Sequence, residues 1–185
     1  CGQYQRLCLS WRVLYGDLMA GLFTRSWGYR KPPLGARLNR SHQLAQGLVG
    51  CWVMNEGGGT VAIDSAGINT GTLTNGPLWS AGQFGPALNF DGVNDYVRVS
   101  AFPTTSSTTW SAWANLSTAG NFPVIISAVP GGNQLELRYS SDTRAPNILF
   151  NYPAAGWGQV ISPDAVALDT WHHLAVTYNG TTLRL

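Results

Sequence analysis

The chain has 185 residues, of which 44% are apolar and 11% are charged. This composition excludes a disordered chain, because disorder goes with low hydrophobicity and high net charge. The longest charge-free run, residues 99–135, is too rich in Thr, Ser, Pro and Gly for a membrane span. Three cysteines, an odd number, form no disulfide framework. Cys51 lies in an apolar run and is predicted to be a buried free thiol.

Charge divides the chain near residue 40. Residues 1–40 carry seven Arg and Lys against one acid, whereas residues 41–185 carry four Arg against eight acids. We expect residues 1–45 to be a basic extension, with Met19 as the first plausible start and residues 1–18 as upstream sequence. Its dispersed arginines match no nucleic-acid recognition motif. The predicted role is docking onto another subunit of a larger assembly, with no nucleic-acid partner.

From Ser41 onward, short apolar runs alternate with turn signals, a pattern typical of antiparallel β-proteins. No run of residues carries a convincing helical period, so the sequence predicts an all-β fold of two packed sheets. The predicted strands are residues 48–54, 60–63, 87–90, 96–100, 110–117, 124–129, 135–139, 148–152, 159–162, 171–178 and 181–185.

Two of the turns are predicted to close hairpins. Asp91-Gly92-Val93-Asn94-Asp95 would join residues 87–90 to residues 96–100, with Asp-Gly as the turn former. Asn179-Gly180 is the strongest hairpin signal in the chain and would join its last two strands.

Four segments of the chain form a set of recognisable motifs: Gly47–Trp52 followed by Asn55–Gly59, Ala87–Gly92 with Asp95–Val97, Thr109–Trp113, and Trp171–Gly180. In this order they resemble motifs of the laminin-G-like domains, which belong to the concanavalin A-like lectin and glucanase group. The resemblance implies a jelly-roll sandwich of two curved antiparallel sheets over residues 46–185.

This family normally continues beyond the last motif with a further hairpin and closing strands. We therefore expect the domain to lack its last strands and to have an apolar edge that favours homo-oligomers. Residues 32–59 also resemble the N-termini of laminin-G-like proteins encoded by tailed bacteriophages. That second resemblance implies a place on a virion surface or outside a cell, although no secretory signal is visible because Arg6, Arg12 and Asp17 interrupt the N-terminal apolar residues.

Glucanases share this sandwich, and their catalysis needs two carboxylates at a fixed separation. The chain has only two Glu, Glu56 and Glu136, and neither has a second acid two or four residues further on. We therefore expect no catalytic residues. Zinc is disfavoured as well, because His172 and His173 are neighbours on a strand and point to opposite faces.

Calcium is the metal that the resemblance implies, since laminin-G-like domains often hold it at a rim of the sandwich. Asp64, Asp91, Asn94 and Asp95 supply oxygen ligands in predicted loops. The alternative is that Asp91 and its neighbours only make Asx turns, in which the side chain bonds to its own backbone.

Carbohydrate binding would use aromatic platforms, because sugars present apolar CH faces. The candidates are Trp113, Tyr139, Tyr152 and Trp157, with Trp79 beside them, and Trp157 is the most exposed by pattern because glycines flank it. Three further tryptophans, Trp52, Trp110 and Trp171, are predicted to lie in the core.

The sequence thus predicts a non-catalytic recognition or adhesion module that binds glycans or proteins, with Ca²⁺ as its cofactor where it has one. Two alternatives stay open. One is a purely structural coat or decoration protein, and the other is a glycoside hydrolase of the same fold.

Overall fold

The computed structural model describes residues 6–8, 30–67, 69–100, 108–118, 120–128, 134–152, 156–179 and 181–185, with only the backbone of 6–8 and Tyr152. The backbone clusters into two compact units. The C-terminal unit comprises residues 1–7, 90–95 and 104–185, and the N-terminal unit comprises residues 8–89 and 96–103. Among the described residues, no helix is long and apolar enough to cross a bilayer.

The described elements are β-strands and one 3-10 turn, Gln43–Ala45. The strands are β1 (Arg6–Cys8), β2 (Val61–Ala62), β3 (Gly71–Thr74), β4 (Leu78–Ala81), β5 (Pro86–Asn89), β6 (Tyr96–Arg98), β7 (Thr108–Asn115), β8 (Val124–Ala128), β9 (Gln134–Tyr139), β10 (Pro146–Tyr152), β11 (Gly156–Ile161), β12 (Trp171–Tyr178) and β13 (Leu183–Arg184).

The strands form four sheets with antiparallel pairing in every registered pair. Two four-stranded sheets have the orders β1-β7-β12-β13 and β11-β10-β9-β8. The N-terminal unit contributes the sheet β2-β3-β6 and the hairpin β4-β5. The predicted all-β class is confirmed, and the arrangement is consistent with a concanavalin A-like sandwich.

Alternating burial defines the inner side of the sheet β11-β10-β9-β8. Along β9, Leu135, Leu137 and Tyr139 are buried, while the residues between them are only partly so. Ile148 on β10 lies directly opposite Leu137 and is also buried. Because successive side chains of a strand point to opposite faces, these apolar residues belong to one face. The other face of the sheet carries mostly polar side chains, with Leu149, Trp157 and Ile161 among them.

The N-terminal unit contains a buried lysine, Lys31. The ammonium of Lys31 donates hydrogen bonds to the carbonyl of Met54, at 3.0 Å, and to the carbonyl of Pro86. Leu38 and Ala45 pack with Val53 and Ala66 in a small apolar cluster. Residues 31–45 therefore pack against later residues of this unit. Of residues 1–29 of the predicted extension, the structure describes only β1.

The structure corrects two predictions, one about a strand at residues 48–54 and one about the pairing of β5 and β6. Residues 48–54 form no strand beyond a single bridge between Trp52 and Asp64. The hairpin predicted across Asp91–Asp95 is wrong, because β5 pairs with β4 and β6 pairs with β3. Both partners, β3 and β4, were missed from the sequence, since their short runs contain Gly, Thr and Ser. The Asn179-Gly180 hairpin is confirmed by the pairing of β12 with β13.

A cross-strand contact between Phe150 and Gly158 holds β11 against β10. The two residues are directly opposite, and the Phe150 ring occupies the space where a side chain at position 158 would begin. A Cβ atom built on Gly158 would lie 2.2 Å from the ring, closer than real carbon contacts. The glycine is therefore required by the packing of the ring.

We expect Gly158→Ala to lower the free energy of unfolding by about 1–3 kcal/mol, because the ring must be displaced. Urea unfolding followed by circular dichroism measures this change. Gly58→Ala is the control, since nothing lies within 4 Å of that position. Equal stability of the two variants would contradict the packing argument.

Candidate functional site

The candidate site is the polar face of the sheet β11-β10-β9-β8, which we call the amide face. Its members share one feature: each points away from the buried row Leu135, Leu137 and Tyr139 by strand alternation and register. They are Ser127, Gln134, Glu136, Arg138, Asn147, Leu149, Asn151, Trp157, Gln159 and Ile161.

One row of the amide face combines an aromatic ring with two amides. Asn151 on β10 lies opposite Gln134 on one side and opposite Trp157 on the other. Trp157 is 62% exposed, the second-highest exposure among the large apolar residues of the described chain. It sits on β11, the edge strand of the sheet. An exposed indole next to amide groups can stack on the apolar face of a sugar while the amides bond to its hydroxyls.

The next row of the amide face contains Glu136, which lies opposite Ser127 on β8 and Leu149 on β10. Its Oε1 accepts hydrogen bonds from Gln134 Nε2, at 2.7 Å, and from Ser127 Oγ, at 3.3 Å. Its Oε2 lies 3.6 Å from the guanidinium of Arg138. The carboxylate is thus fully engaged with its neighbours, and it fixes which way the amide of Gln134 faces.

The third row of the amide face contains a cation, Arg138, opposite a buried amide, Asn147. The guanidinium of Arg138 lies 4.5 Å from the centre of the Phe122 ring, a cation–π contact. Asn147 is 1% exposed, and its amide donates to Gln159 Oε1 at 3.1 Å. That bond uses the Gln159 oxygen and leaves the Gln159 amide hydrogens available at the exposed surface of β11.

The aromatic residues predicted from the sequence fall in different places. Trp157 lies on the amide face, as described. Tyr139 has no exposed area and points to the inner side, so it is not part of a surface site, and burial raises the pKa of its hydroxyl. Trp113 lies on β7 in the other sheet, half-buried, with its ring centre 5.5 Å from that of His173. Tyr152 ends β10, and its side chain lies outside the described residues.

The oxygen ligands proposed for calcium fall in both units. In the N-terminal unit, Asp64 accepts from the backbone amides of Cys51, Ala66 and Asn69 at 2.8–3.2 Å. Both of its carboxylate oxygens are therefore used to hold the chain. No group of three or more His, Cys, Asp or Glu side chains suited to a metal occurs in the part of the chain that the structure describes.

Asp91 and Asp95 form a reciprocal turn in the C-terminal unit. Asp91 Oδ1 accepts from the amides of Val93, Asn94 and Asp95 at 2.8–3.4 Å, the Asx geometry weighed above. These hydrogen bonds lower the pKa of Asp91, and the one from the backbone amide of Val93 has the largest effect. Asp95 Oδ2 accepts from the Asp91 amide at 3.0 Å. Asp95 is 3% exposed, and its Oδ1 is buried with no hydrogen-bond partner among the described residues.

Two other ionisable groups are shifted by burial. The thiol of Cys51 is free and half-buried, and burial together with the charge of Asp64 raises its pKa to about 12. It is therefore protonated and a poor nucleophile near neutral pH. Burial lowers the pKa of His173, which keeps that imidazole neutral.

Sequence reasoning found Trp157 but missed the amides around it. The alternation in β9 already separates Gln134 and Glu136 from the buried leucines, and this signal was visible. The register that sets Asn151 between Gln134 and Trp157 depends on how β9, β10 and β11 pair. The sequence of a single strand does not determine its register with its neighbours, so the row of Gln134, Asn151 and Trp157 could be recognised only in the structure.

Residues 90–185 match the family model of the concanavalin A-like lectin/glucanases superfamily, laminin G type. The match covers more than half of the chain, so the chain belongs to this family. Domains of this type are typically non-catalytic modules that bind carbohydrate or protein. Comparisons with curated proteins and with solved structures gave no match.

The lowered pKa of Asp91 predicts how acid affects the Asp91–Asp95 turn. A carboxyl whose pKa is lower in the folded chain than its ordinary 3.8 stabilises the fold above that pH. This contribution is lost as the pH falls through the lower, folded-state pKa. Asp91→Asn should therefore reduce the loss of Tm on acidification, measured by thermal unfolding from pH 6 down to about pH 2.

The control for this prediction is Asn94→Ala, which alters the same turn without removing a carboxyl. It should keep the acid sensitivity of the wild-type protein. Identical pH profiles for Asp91→Asn and wild type would show that the turn does not hold the Asp91 carboxylate in solution.

Proposed function

We propose that this protein is a non-catalytic recognition module that binds glycans on the amide face. The observation that carries the proposal is the row of Trp157, Asn151 and Gln134 on adjacent strands of one face. Sugars need both an apolar surface for their CH groups and fixed donors and acceptors for their hydroxyls. This row supplies both, and family membership agrees with it.

A hydrolytic function is less well supported, because the sheet lacks a pair of carboxylates. Glu136 is the only Asp or Glu in β8, β9, β10 and β11. Glycoside hydrolysis requires one carboxyl to act as acid and a second to act as base or nucleophile. Glu136 is bonded to Gln134, Ser127 and Arg138, which suits a positioning role better than proton transfer.

We propose extracellular or virion-surface display as the setting for this binding. The support is that the laminin G type is a common module of surface recognition, and that Trp157 is exposed on an edge strand. Docking of the basic N-terminal residues onto other subunits, and self-association, remain parts of the same proposal. A protein ligand in place of a glycan is the alternative that the binding experiment below separates.

Calcium is proposed at the Asp91–Asp95 turn, on the strength of one buried oxygen. Asp95 Oδ1 is a charged acceptor with no partner among the described residues, and such a group is costly unless a cation compensates it. Oxygen ligands are what Ca²⁺ prefers, and Asp91 and Asn94 stand in the same turn. Asp64 is left out, because both of its oxygens already accept backbone amides.

Trp157→Ala should weaken glycan binding by at least about tenfold, because the stacking surface is removed. The measurement is a glycan array followed by titration calorimetry on the sugars that bind. Leu78→Ala is the control, since Leu78 is also an exposed apolar residue but lies on β4, outside the amide face. Binding that survives Trp157→Ala unchanged, or a blank array from folded protein, would refute the glycan proposal and favour a protein ligand or a structural role.

Addition of Ca²⁺ should raise the Tm of the wild-type protein in a concentration-dependent way, because the ion binds only the folded turn. Asp95→Asn keeps an oxygen to accept the Asp91 amide but removes the charge, so this variant should lose the Ca²⁺-dependent rise. Mg²⁺ at equal concentration serves as the control for ionic strength. An equal rise in wild type and variant would place the ion elsewhere.

A further inference from the structure

We infer that the amide face selects uncharged pyranose chains and binds them without a metal ion. This inference rests on the proposed function and specifies its ligand. It follows from how the two charged side chains of the face are neutralised and from the chemistry of the groups that remain.

The face contains one anion and one cation, and they compensate each other. Glu136 and Arg138 are 3.6 Å apart, and each side chain is 14% exposed. The Arg138 guanidinium also lies over the Phe122 ring, 4.5 Å from its centre. An anionic ligand would therefore meet a guanidinium whose charge is already balanced, and a cationic ligand would meet an engaged carboxylate. Neither sign of charge is favoured.

The polar groups left at the surface are amides, and the aromatic group there is the Trp157 indole. Asn147 fixes Gln159, and Glu136 fixes Gln134, so both glutamine side chains are pre-oriented by neighbours. Pre-orientation reduces the entropy lost when a ligand binds. Amide groups bond to neutral hydroxyls as both donors and acceptors. They give no charge to replace the hydration of a carboxylate or a sulfate.

The spacing of the row suits more than one sugar ring. Gln134 and Trp157 lie on strands separated by β10, so their backbones are about 10 Å apart. A ring stacked on Trp157 leaves Asn151 and Gln134 to meet the neighbouring sugar. The ligand is therefore an oligosaccharide with an apolar ring face that crosses the strands.

Metal-free binding follows from the ligands that the face lacks. Glu136 is its only carboxylate, and it is engaged with three neighbours. Hard cations such as Ca²⁺ take six or more oxygen ligands, usually with several carboxylates.

The experiment compares matched oligosaccharides with the same backbone, one neutral and one carrying carboxylate or sulfate groups, in the presence of EDTA. Calorimetry at low and high salt should show binding of the neutral ligand with no salt dependence, since no charge pair is formed. The charged ligand should bind at least about tenfold more weakly.

Glu136→Gln tests the charge argument directly. This variant leaves the Arg138 cation uncompensated, so the charged oligosaccharide should now bind about tenfold more tightly than to wild type, with strong salt dependence. Asp142→Asn is the control, because it changes net charge equally at an exposed position in the β9–β10 turn. Circular dichroism verifies that each variant is folded, and Arg138→Gln provides a second variant that should still exclude the charged ligand.

The outcomes separate the two proposals. Equal or tighter binding of the charged ligand by wild type, abolished by Trp157→Ala, would overturn the choice of ligand and keep the glycan site. Loss of neutral-ligand binding in EDTA would overturn metal independence alone. If the Trp157→Ala variant binds the oligosaccharides as tightly as the wild type, or if neither oligosaccharide binds, both the proposed function and this inference are overturned.

Discussion

The period-two alternation of β9 is the constraint on which the rest of the site depends. Burial of Leu135, Leu137 and Tyr139 against Ile148 is favourable because it removes apolar surface from water. The same alternation sends Gln134 and Glu136 to the opposite face. A shift of register by one residue would exchange the two faces, exposing leucines and burying a carboxylate. The core thus fixes which polar groups lie on the amide face.

The edge strand β11 depends on this sheet through a different contact. Phe150 lies on the inner side of β10 and covers Gly158, so β11 can approach closely only because position 158 has no side chain. The residue before that glycine is Trp157, which points to the other face. One glycine therefore serves the packing of a ring on one side of the sheet and the placement of the indole on the other. Although β11 is an edge strand, its backbone is packed against Phe150 at Gly158. The exposed Trp157 is therefore attached to a packed segment of backbone.

Much of the fold could be predicted from the sequence, and the reasons are local. Alternation in residues 135–139 and the Asn179-Gly180 signal are properties of neighbouring residues, and both appear in the structure. The predicted pairing of β5 with β6 was wrong. An Asp-Gly turn is compatible with a hairpin, but it is also compatible with a turn between strands of two different sheets. Asp91 bonds to its own turn in either case, so the local signal does not decide between them.

The site was less accessible to sequence reasoning than the fold. Trp157 could be identified because flanking glycines favour exposure, but Tyr139 could not be told from a surface aromatic until the buried face of β9 was known. The amides around Trp157 lie on three strands and are brought together only by pairing register. Asn147 is a similar case: as a buried amide it looks like a structural residue, and its role is to hold Gln159.

A shared fold does not decide between a lectin and a glucanase, since both occur in this family. What separates them is the number of carboxylates on the face that meets the sugar. Hydrolysis requires two, and one of them must be free to exchange a proton. On the amide face the single carboxylate is bonded to two polar side chains and paired with Arg138. A carboxylate held in this way keeps the Gln134 amide oriented, and its charge is balanced by Arg138 within the protein.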